Sequence, residues 1–423
     1  MRTPISKEIE LYANKFYSVE NSIDKDYKFE FNNHNRINDY LSKDNEDLSI
    51  VGISTDEGAC GHYRLKLPLL YLDSLGIKVD LRLAPENLKI DLNLIADASH
   101  VIISRLVDKE LFDVIRKTCN YNDTALIYDI DDNLLDIKED SPAFPYFDPN
   151  TIWGKQNIDN FKYCFDNSDA VIYSTEYLKE ALPHSDPHVI YNGVDVDLKF
   201  RNWEFTEKFN WRDFAGNCKY DSSTVCIGWS GSATHKNDLI SISKAVHSLL
   251  DENVVFALQC EKDLALDIIA NHWKLPIDRF FLLPQADFVF YPWILSLFDI
   301  GLAPLLDNNF NRCKSWIKLA EYNALCISYV ASNVEPYFKY NKLNNGGILC
   351  DNQATWESAL RYLINEKQTA HSLAYEGKVG VYNNLSTSIV NHGLLYTLRT
   401  ISENKNSVTK APSYNNIINL FKD

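Results

Sequence analysis

Four short segments of the chain place glycines, acids or lysines directly after a predicted strand. The first, STDEGACGHYRLKLP, contains Gly58, Gly61 and Arg64. Glycines let the backbone approach a phosphate, and the helix that follows offers N–H groups at its start. Arg64 could add a charge-assisted contact to the same anion. Because the spacing matches neither the Rossmann nor the Walker fingerprint, an ordinary turn between strand and helix is the alternative.

The second segment, YDIDDNLLDI, follows a predicted strand with three aspartates, Asp129, Asp131 and Asp132. Carboxylates at the end of a strand can bind a metal ion, accept a proton from a substrate hydroxyl, or cap the next helix. The residue types alone leave these three interpretations open.

The third segment, GWSGSATHKNDL, runs from a strand into a Gly-Ser turn and on to Ser232, His235 and Lys236. Lys236 is predicted to lie near a helix N-terminus, where the helix dipole and the ammonium group both favour an anion. The alternative is a solvent-exposed lysine beside a capped helix, with His235 as a hydrogen-bonded structural residue.

The fourth segment, NNFNRCKSWIKLAEYNALC, is predicted as a helix that begins near Arg312. On such a helix Lys314, Lys318 and Glu321 stand at i, i+4 and i+7 and share one face. Lys314 and Ser315 could meet a phosphate, and Glu321 could accept two hydrogen bonds from a ribose. The alternative is an amphipathic helix with a surface pair between Lys318 and Glu321, which contributes little.

These segments need a scaffold that brings strand ends together, and the hydrophobic pattern supplies one. Short apolar runs alternate with helical patterns, such as the helix predicted over 108–119. This alternation predicts parallel strands with crossover helices, the doubly wound α/β class. The predicted strands are 50–54, 77–83, 100–104, 125–130, 170–174 and 188–192 in the first half, and 225–230, 254–258, 280–283, 299–304, 327–332 and 347–350 in the second.

The chain divides into five predicted regions. Residues 1–47 are a polar extension, 48–200 and 223–380 are two Rossmann-like domains, 201–222 are a linker, and 381–423 are C-terminal helices and a tail. A length of 423 residues fits two cores, since single cores stop growing near about 250–300 residues. We expect a ligand in a cleft between the two domains, at the C-terminal ends of the strands.

Composition and charge exclude several classes of protein. A hydrophobic fraction of 45% excludes a mostly disordered chain. A net charge of -16 disfavours nucleic acid as a partner and a strong grip on anionic lipid. The nine cysteines contain no C-x-x-C pair, which disfavours a disulfide framework or a zinc knuckle. Without a secretory signal or an apolar stretch of about 20 residues, the sequence predicts a cytoplasmic protein.

Taken in chain order, these segments resemble the group 1 (family 4-like) retaining glycosyltransferases, which have the GT-B fold. The most specific piece is FDIGLAPLLDNNFNRCKSWIKLAEYNA, where Lys-Ser, Lys and Glu-Tyr follow an apolar strand at fixed spacing. The other matching pieces are EGACGHYRL, YDIDDNLL, YSTEYLKEAL, VIYNGVDVDLKF and IGWSGSATHKNDL. The resemblance covers about 48–400. It implies two Rossmann-like doubly wound domains that face each other across a cleft, with the helices after about residue 380 returning to the first domain.

The resemblance implies roles for individual residues. Gly61 would approach the diphosphate of a nucleotide diphosphate sugar, Lys236 would neutralise the leaving phosphate, and Glu321 would hold the ribose. Asp131 is the second catalytic candidate. The remaining donor-binding candidates are Arg64, Ser232, His235, Asn311, Lys314, Ser315 and Lys318.

No metal and no cofactor besides the nucleotide-sugar donor is predicted. Lysines and helix N-termini can meet the charge of the diphosphate. The triplet from Asp129 to Asp131 is similar to the metal-holding D-x-D of glycosyltransferases of the other major fold, but the mixed single domain of that fold is not predicted here.

The sequence departs from the family pattern at two positions. Ser232 replaces an arginine that often follows the glycine of the second-domain turn, and Cys313 replaces the first glutamate of the family's pair. Asn311 or Lys314 could take over the contact of that glutamate with the donor sugar. These departures keep open a non-catalytic subunit that binds a nucleotide sugar.

The resemblance implies transfer of a sugar to an acceptor hydroxyl with retention of anomeric configuration, in surface-glycan or polysaccharide assembly. The acceptor would be a glycan, a lipid-linked molecule or a protein, and a lipid-linked acceptor would bring the protein to the inner face of the membrane. The alternative enzyme is a nucleotide-sugar epimerase or hydrolase on the same fold, for which Asp131, Asp132 and His235 are the acid and base candidates.

Overall fold

The computed structural model describes residues 48–83, 92–196 and 221–406, apart from 284, 286–287 and 289–290. The predicted extension at 1–47, almost all of the predicted linker at 201–222, and the tail beyond 406 lie outside the described residues.

Six parallel strands form the first sheet, in the order β2-β1-β3-β4-β5-β6. Strands β3, β4 and β5 are buried along their whole length, which explains why they are apolar throughout rather than alternating. All six predicted strands of this half are confirmed. They are β1 Ser49–Ser54, β2 Lys78–Leu83, β3 His100–Ser104, β4 Ala125–Ile130, β5 Ala170–Tyr173 and β6 Pro187–Val189.

Six further parallel strands form the second sheet, in the order β12-β11-β10-β7-β8-β9. The six predicted strands of this half are also confirmed. They are β7 Val225–Ser230, β8 Val254–Gln259, β9 Phe280–Leu283, β10 Ile300–Ala303, β11 Ser328–Ser332 and β12 Gly347–Cys350. The prediction of two doubly wound, Rossmann-like sheets is therefore confirmed.

Helices connect consecutive strands in both halves. In the first half they are α1 Ala59–Gly61, α2 Leu67–Ser74, α3 Leu92–Ala96, α4 Lys109–Tyr121, α5 Ile152–Asp166 and α6 Glu176–Ala181. In the second half they are α7 Lys236–Ser241, α8 Ser243–Ser248, α9 Lys262–Asp267, α10 Tyr291–Leu295, α11 Asn309–Arg312, α12 Ile317–Ala324, α13 Glu335–Asn344 and α14 Gln353–Asn365. Two long helices follow, α15 Lys367–Leu385 and α16 Thr387–Asn406.

Helix α4 shows how the local sequence sets these elements. The Asp108 carboxylate accepts a hydrogen bond of 3.0 Å from the Leu111 N–H, which caps the first turn. Phe112, Ile115 and Cys119 recur at helical spacing and are buried. The helix predicted over 108–119 is thereby confirmed.

The described residues group into two compact units. The first contains 48–196, Arg312–Ser315 and 384–406, and the second contains 221–311 and 316–383. In the first unit, helix α16 packs against α2. The His100 imidazole on β3 also lies 2.8 Å from the Leu398 carbonyl oxygen. The C-terminal helix is thus part of the first unit.

Each sheet has its own hydrophobic core, and the second is tight enough to require a glycine on β7. A Cβ atom at Gly228 would lie 2.0 Å from Cδ1 of Phe298. The core there consists of β7, β8 and β10 side chains packed on the helices, with Trp229 and Trp273 almost fully buried. Interiors of this density leave little room for rearrangement.

The order of the strands reverses between β1 and β3 in the first sheet, and between β7 and β10 in the second. In open α/β sheets, ligands bind outside the carboxyl ends of the strands at such switch points. The loops after these four strands are therefore the places to look for a site. None of the helices in the described ranges is long and apolar enough to cross a membrane.

Candidate functional site

A buried ion pair lies at the end of β4 in the first unit. Nη2 of Arg64 is 2.7 Å from Oδ2 of Asp129, and Nε is 3.1 Å from Oδ1. The Arg64 Nη1 group donates to the carbonyl oxygen of Ile190 at 2.7 Å and to Oδ1 of Asn192 at 2.8 Å. Burial alone would lower the pKa of Arg64, but the Asp129 carboxylate raises it, so the guanidinium stays charged.

This arrangement corrects the predicted contact between Arg64 and a donor phosphate. The side chains of Arg64 and Asp129 are each only 3% exposed, and the guanidinium donates to four protein atoms. It therefore positions the β4 end and the Asn192 amide rather than facing a ligand. Composition and spacing could not show this, because the partners of Arg64 are 65 to 128 residues away along the chain.

A carboxylate cluster, defined here as Asp56, Cys60, Arg105, Asp131 and Asp132, surrounds the switch point of the first sheet. The Arg105 Nη1 atom lies 3.6 Å from Oδ1 of Asp131, 3.6 Å from Oδ2 of Asp132 and 4.0 Å from Oδ2 of Asp56. It also donates to the Cys60 sulfur at 2.8 Å. One guanidinium thus holds three carboxylates from the loops after β1 and β4.

Asp131 has the electrostatics of a group that can exchange a proton. Burial raises its pKa, the neighbouring Asp132 raises it further, and Arg105 opposes both effects. A carboxyl group with a raised pKa is suited to general acid–base work near neutral pH. The structure therefore places the predicted catalytic candidate Asp131 in a chemically plausible setting, although its role is still a prediction.

Arg105 was not among the residues that the sequence singled out. It follows β3 directly, in a left-handed conformation with φ of 55°, and its N–H donates to the Asp129 carbonyl oxygen at 3.2 Å. This conformation costs a non-glycine residue about 1–2 kcal/mol, and such strain is concentrated at functional sites. A charged residue immediately after the buried run HVIIS is the sequence signal that could have revealed it.

The same cluster contains a set of potential metal ligands. The ligand atoms of Cys60, Asp131 and Asp132 all lie within 4.8 Å of one another. Nη1 of Arg105, however, is within 3.6 Å of an atom of each of these residues, so a guanidinium already supplies positive charge there. A divalent ion at this position would have to displace Arg105.

Lys314 and Ser315 belong to the first unit and lie near this cluster in the chain's contact network. The Lys314 Nζ atom is 3.3 Å from Oδ1 of Asp132. The Asn192 amide donates to Oγ of Ser315 at 3.0 Å, and the Thr175 hydroxyl donates to the Cys313 carbonyl oxygen at 2.9 Å. These side-chain contacts hold the segment Arg312–Ser315 in a non-helical conformation.

The helix predicted to begin near Arg312 is therefore wrong in its continuity. Helix α11 ends at Arg312 and α12 begins at Ile317, so Lys314 does not share a helix face with Lys318 and Glu321. The non-helical partners of Cys313, Lys314 and Ser315 compete successfully with the helical hydrogen bonds. Only Lys318 and Glu321 lie together on α12.

Cys313 occupies the position of the family's first glutamate, and it is a core residue here. Its side chain is 0% exposed within the core of the first sheet. Burial raises the pKa of its thiol to about 11, so the thiol stays protonated at neutral pH. The position therefore supplies neither a carboxylate nor a thiolate.

A second cluster, called here the Tyr291 cluster, lies at the end of β7 in the second unit. The Ser230 hydroxyl lies 2.6 Å from Oε1 of Gln259 and 2.8 Å from the Tyr291 hydroxyl. The Tyr291 hydroxyl is also hydrogen-bonded to the Glu321 carboxylate, and burial and Glu321 together raise the pKa of Tyr291. Glu321 is 7% exposed, so its carboxylate is held at a defined position.

Lys318 completes this cluster from α12. Its ammonium group donates to the Ser230 carbonyl oxygen at the end of β7 and lies 5.2 Å from the centre of the Trp229 ring. The predicted donor-binding residues Lys318 and Glu321 thus meet at the carboxyl end of β7. The sequence reasoning missed Tyr291 and Gln259, which come from other strands' loops and carry no local motif.

The loop after β7 links three other predicted residues. The Nδ1 atom of His235 lies 2.8 Å from Oδ2 of Asp238, and Oδ1 of Asp238 accepts from the Leu306 N–H at 2.8 Å and from the Asn311 amide at 3.2 Å. His235 and Asn311 are therefore joined through one buried carboxylate. Ser232 is exposed and lies 2.8 Å from the Thr234 hydroxyl.

Lys236 is the first residue of α7, as predicted for a lysine beside a helix N-terminus. Its Nζ atom lies 2.6 Å from Oδ2 of Asp267, and its side chain is 43% exposed. Burial would raise the pKa of Asp267, but hydrogen bonds from Lys236 and Asn271 lower it. Gly61, by contrast, is buried at the end of α1 directly after the β1 loop, so its contact with a phosphate stays a prediction.

Comparison with known proteins identifies the fold. No protein-family model and no curated protein matches the sequence. Three solved structures are similar over whole chains. HepE of Anabaena with UDP-glucose is 13% identical, with a TM-score of 0.58 over 84% of this chain and 100% of its own. A glycosyltransferase from Rickettsia africae is 13% identical, with a TM-score of 0.59 over 85% and 100%.

Sucrose-phosphate synthase from Thermosynechococcus elongatus is 10% identical, with a TM-score of 0.58 over 84% of this chain and 100% of its own. At these identities the similarity concerns the fold. Together with the two six-stranded parallel sheets, it confirms the predicted GT-B-like architecture of two Rossmann-like domains.

Proposed function

We propose that this protein is a glycosyltransferase that moves a sugar from a nucleotide diphosphate sugar to an acceptor hydroxyl. The observation that carries the proposal is the Tyr291 cluster, in which Glu321 and Lys318 meet at the switch point of a Rossmann-type sheet. The fold shared with HepE, whose structure contains UDP-glucose, supports a nucleotide sugar as the donor class.

On the donor side, Glu321 accepts hydrogen bonds from the ribose hydroxyls. Its carboxylate already has a hydroxyl partner in Tyr291, which shows that its position favours hydroxyl donors. Lys236 exchanges its contact with Asp267 for the diphosphate, where its positive charge stabilises the leaving group. Its 43% exposed side chain leaves it free to reorient.

On the acceptor side, Asp131 accepts the proton of the attacking hydroxyl. The acceptor oxygen forms the new bond to the anomeric carbon, and the bond from that carbon to the diphosphate oxygen breaks, so the nucleoside diphosphate leaves with the electron pair. Retention of configuration and a place in surface-glycan or polysaccharide assembly are the finer parts of the proposal. They rest on the sequence resemblance alone.

A donor screen tests the proposal directly. The full chain is mixed with UDP-, GDP-, ADP- and dTDP-sugars, and its thermal stability is measured. A donor at 100 times its Kd should add about 2.7 kcal/mol of stability. Glu321→Gln should abolish that gain, whereas Glu366→Gln, at an exposed glutamate beyond the end of α14, should not. No stabilisation by any donor contradicts the proposal.

Nucleotide release with the stabilising donor then separates the alternatives. Release that depends on a saccharide acceptor supports transfer, and equal release without any acceptor indicates a hydrolase. Donor binding without release of nucleotide indicates a non-catalytic subunit. We expect EDTA to leave turnover unchanged, because lysines rather than a metal meet the diphosphate charge.

A further inference from the structure

The first unit carries an exposed aromatic surface that the donor chemistry does not use. Tyr146 is 53% exposed and Trp153 is 52% exposed, although aromatic side chains of this size are usually covered. Their ring centres are 4.9 Å apart, with an angle of 54° between the ring planes. Ile152, beside Trp153, is 89% exposed. We call these three residues the aromatic platform.

Hydrogen bonds hold the platform rigidly. The Asn157 amide on α5 donates to the Tyr146 carbonyl oxygen at 2.8 Å, which ties the short 3₁₀ turn Phe144–Tyr146 to the helix. The Thr151 hydroxyl accepts from the Gly154 N–H at 2.9 Å and so caps α5. The rings therefore project from a fixed backbone rather than from a loose loop.

Gly154 makes this backbone arrangement possible. A Cβ atom at this position would lie 2.1 Å from the carbonyl oxygen of Asp148 and 2.6 Å from its nitrogen, so any larger residue would push the loop away from the helix. Phe147, between the two rings in sequence, packs against the core of the first sheet. The loop is thus anchored on its inner side, while its outer side shows the two rings.

The platform lies at the same edge of the sheet as the carboxylate cluster. Strand β4 ends at Ile130, the loop after it begins with Asp131 and Asp132, and it ends at the N-terminus of α5, where the platform stands. In a strand–loop–helix connection, the loop and the start of the helix both lie at the carboxyl end of the strand. One loop therefore carries the predicted catalytic carboxylate and the exposed rings.

The chemistry of the platform fits a neutral sugar. The apolar C–H face of a sugar ring stacks on an aromatic face, and its hydroxyl groups need polar neighbours. Exposed Asn150 and Gln156 flank the rings and offer amide groups. The segment 136–159 holds five carboxylates and two lysines, a charge balance that disfavours an anionic lipid surface.

We propose that Tyr146 and Trp153 form a stacking subsite for a neutral saccharide unit of the acceptor. This rests on the proposed glycosyl transfer, whose acceptor it specifies as a glycan. The subsite lies on the loop that carries Asp131, so a bound chain would be held by the unit that supplies the proposed base. It would act on acceptor affinity rather than on the chemical step.

A direct binding measurement tests this independently of turnover. Wild-type protein is applied to immobilised neutral oligosaccharides that contain glucose, galactose, mannose or N-acetylglucosamine. We expect wild type to bind a subset, and Trp153→Ala and Tyr146→Ala each to weaken that binding at least tenfold. Tyr375→Ala, at a tyrosine that is 59% exposed on α15, is the matched control and should bind like wild type.

Two further readouts assign other results. Unchanged donor-induced thermal stabilisation in the platform variants shows that they are folded and that the donor site is intact. If wild type binds none of the oligosaccharides, or the variants bind them equally, the subsite is refuted. Loss of binding to phosphatidylglycerol vesicles in the variants, or loss of a dimer in sedimentation, would assign the platform to lipid or to a second copy instead. Saccharide binding without donor binding would refute the proposed transfer but not the subsite.

Discussion

Replacing Arg105 with glutamine removes the guanidinium that lies among Asp56, Asp131 and Asp132. In the native protein its Nη1 atom is 3.6 Å from two of these carboxylates. Two unit charges about 4 Å apart interact by about 4 kcal/mol near a protein surface. The Arg105 side chain is 22% exposed and Lys314 continues to contact Asp132. We therefore expect a loss of about 2–4 kcal/mol in unfolding free energy at neutral pH, in the lower part of the range for breaking a buried pair.

The loss should depend on pH in a defined direction. The pKa of Asp131 in the folded protein is already raised, and removal of Arg105 raises it further. A carboxyl group whose folded pKa lies above its unfolded value stabilises the fold below the unfolded pKa, near about 3.9, and loses that contribution as pH rises through the folded pKa. The deficit of Arg105→Gln should therefore be small near pH 4 and grow towards pH 8.

Urea unfolding of both proteins at intervals from pH 4 to pH 8 measures this deficit. Arg82→Gln is the control, because Arg82 pairs with Asp80 at 45% exposure and should contribute little. Arg105→Gly separates charge from strain. It lacks the same charge but tolerates the φ of 55°, so it should be more stable than Arg105→Gln by about 1 kcal/mol. A deficit that is equal at pH 4 and pH 8 would refute the electrostatic reasoning.

Three further predictions concern other sites. Arg64→Met leaves the buried Asp129 carboxylate without its partner, and the unfolding free energy should fall by about 3–5 kcal/mol in urea titration; a loss below 1 kcal/mol would contradict the pairing. Burial lowers the pKa of His392, so protonation on acidification should destabilise the fold; wild type should lose stability as pH falls below about 6.5, and His392→Gln should lose less between pH 7.5 and 5.5 by thermal melts. Glu321→Gln should weaken donor binding by roughly 1.5–3 kcal/mol in calorimetry, whereas Lys236→Ala should mainly lower kcat in a nucleotide-release assay; donor affinity and rate within about twofold of wild type in both variants would show that neither residue meets the donor.

The strands could be predicted from the sequence because their signal is local. Runs such as HVIIS and AVIYS are apolar throughout, as parallel strands buried on both faces require, and turn residues bound them. Strand β6 is the least exact, since Pro187–Val189 begins and ends earlier than the run at 188–192. Its short, partly exposed pairing at the sheet edge leaves the boundary weakly determined.

The site was harder to predict because its contacts are non-local. The break between α11 and α12 depends on Thr175 and Asn192, which lie 138 and 123 residues before their partners. Helical spacing from Lys314 to Glu321 carries no trace of those partners. Arg64 shows the same effect, since a charged residue after a glycine loop looks like a phosphate ligand until its buried carboxylate is known.

The composition of the first unit has a consequence for biosynthesis. Its sheet is encoded before residue 190, yet it takes Arg312–Ser315 and the helix α16 from much later in the chain. The His100–Leu398 contact spans 298 residues, and Val194 donates its N–H to the Leu385 carbonyl oxygen. A nascent chain on the ribosome therefore lacks parts of its first unit until translation is almost finished, whereas residues 221–383 contain all the strands of the second. The half that is made first is the half that can be completed last.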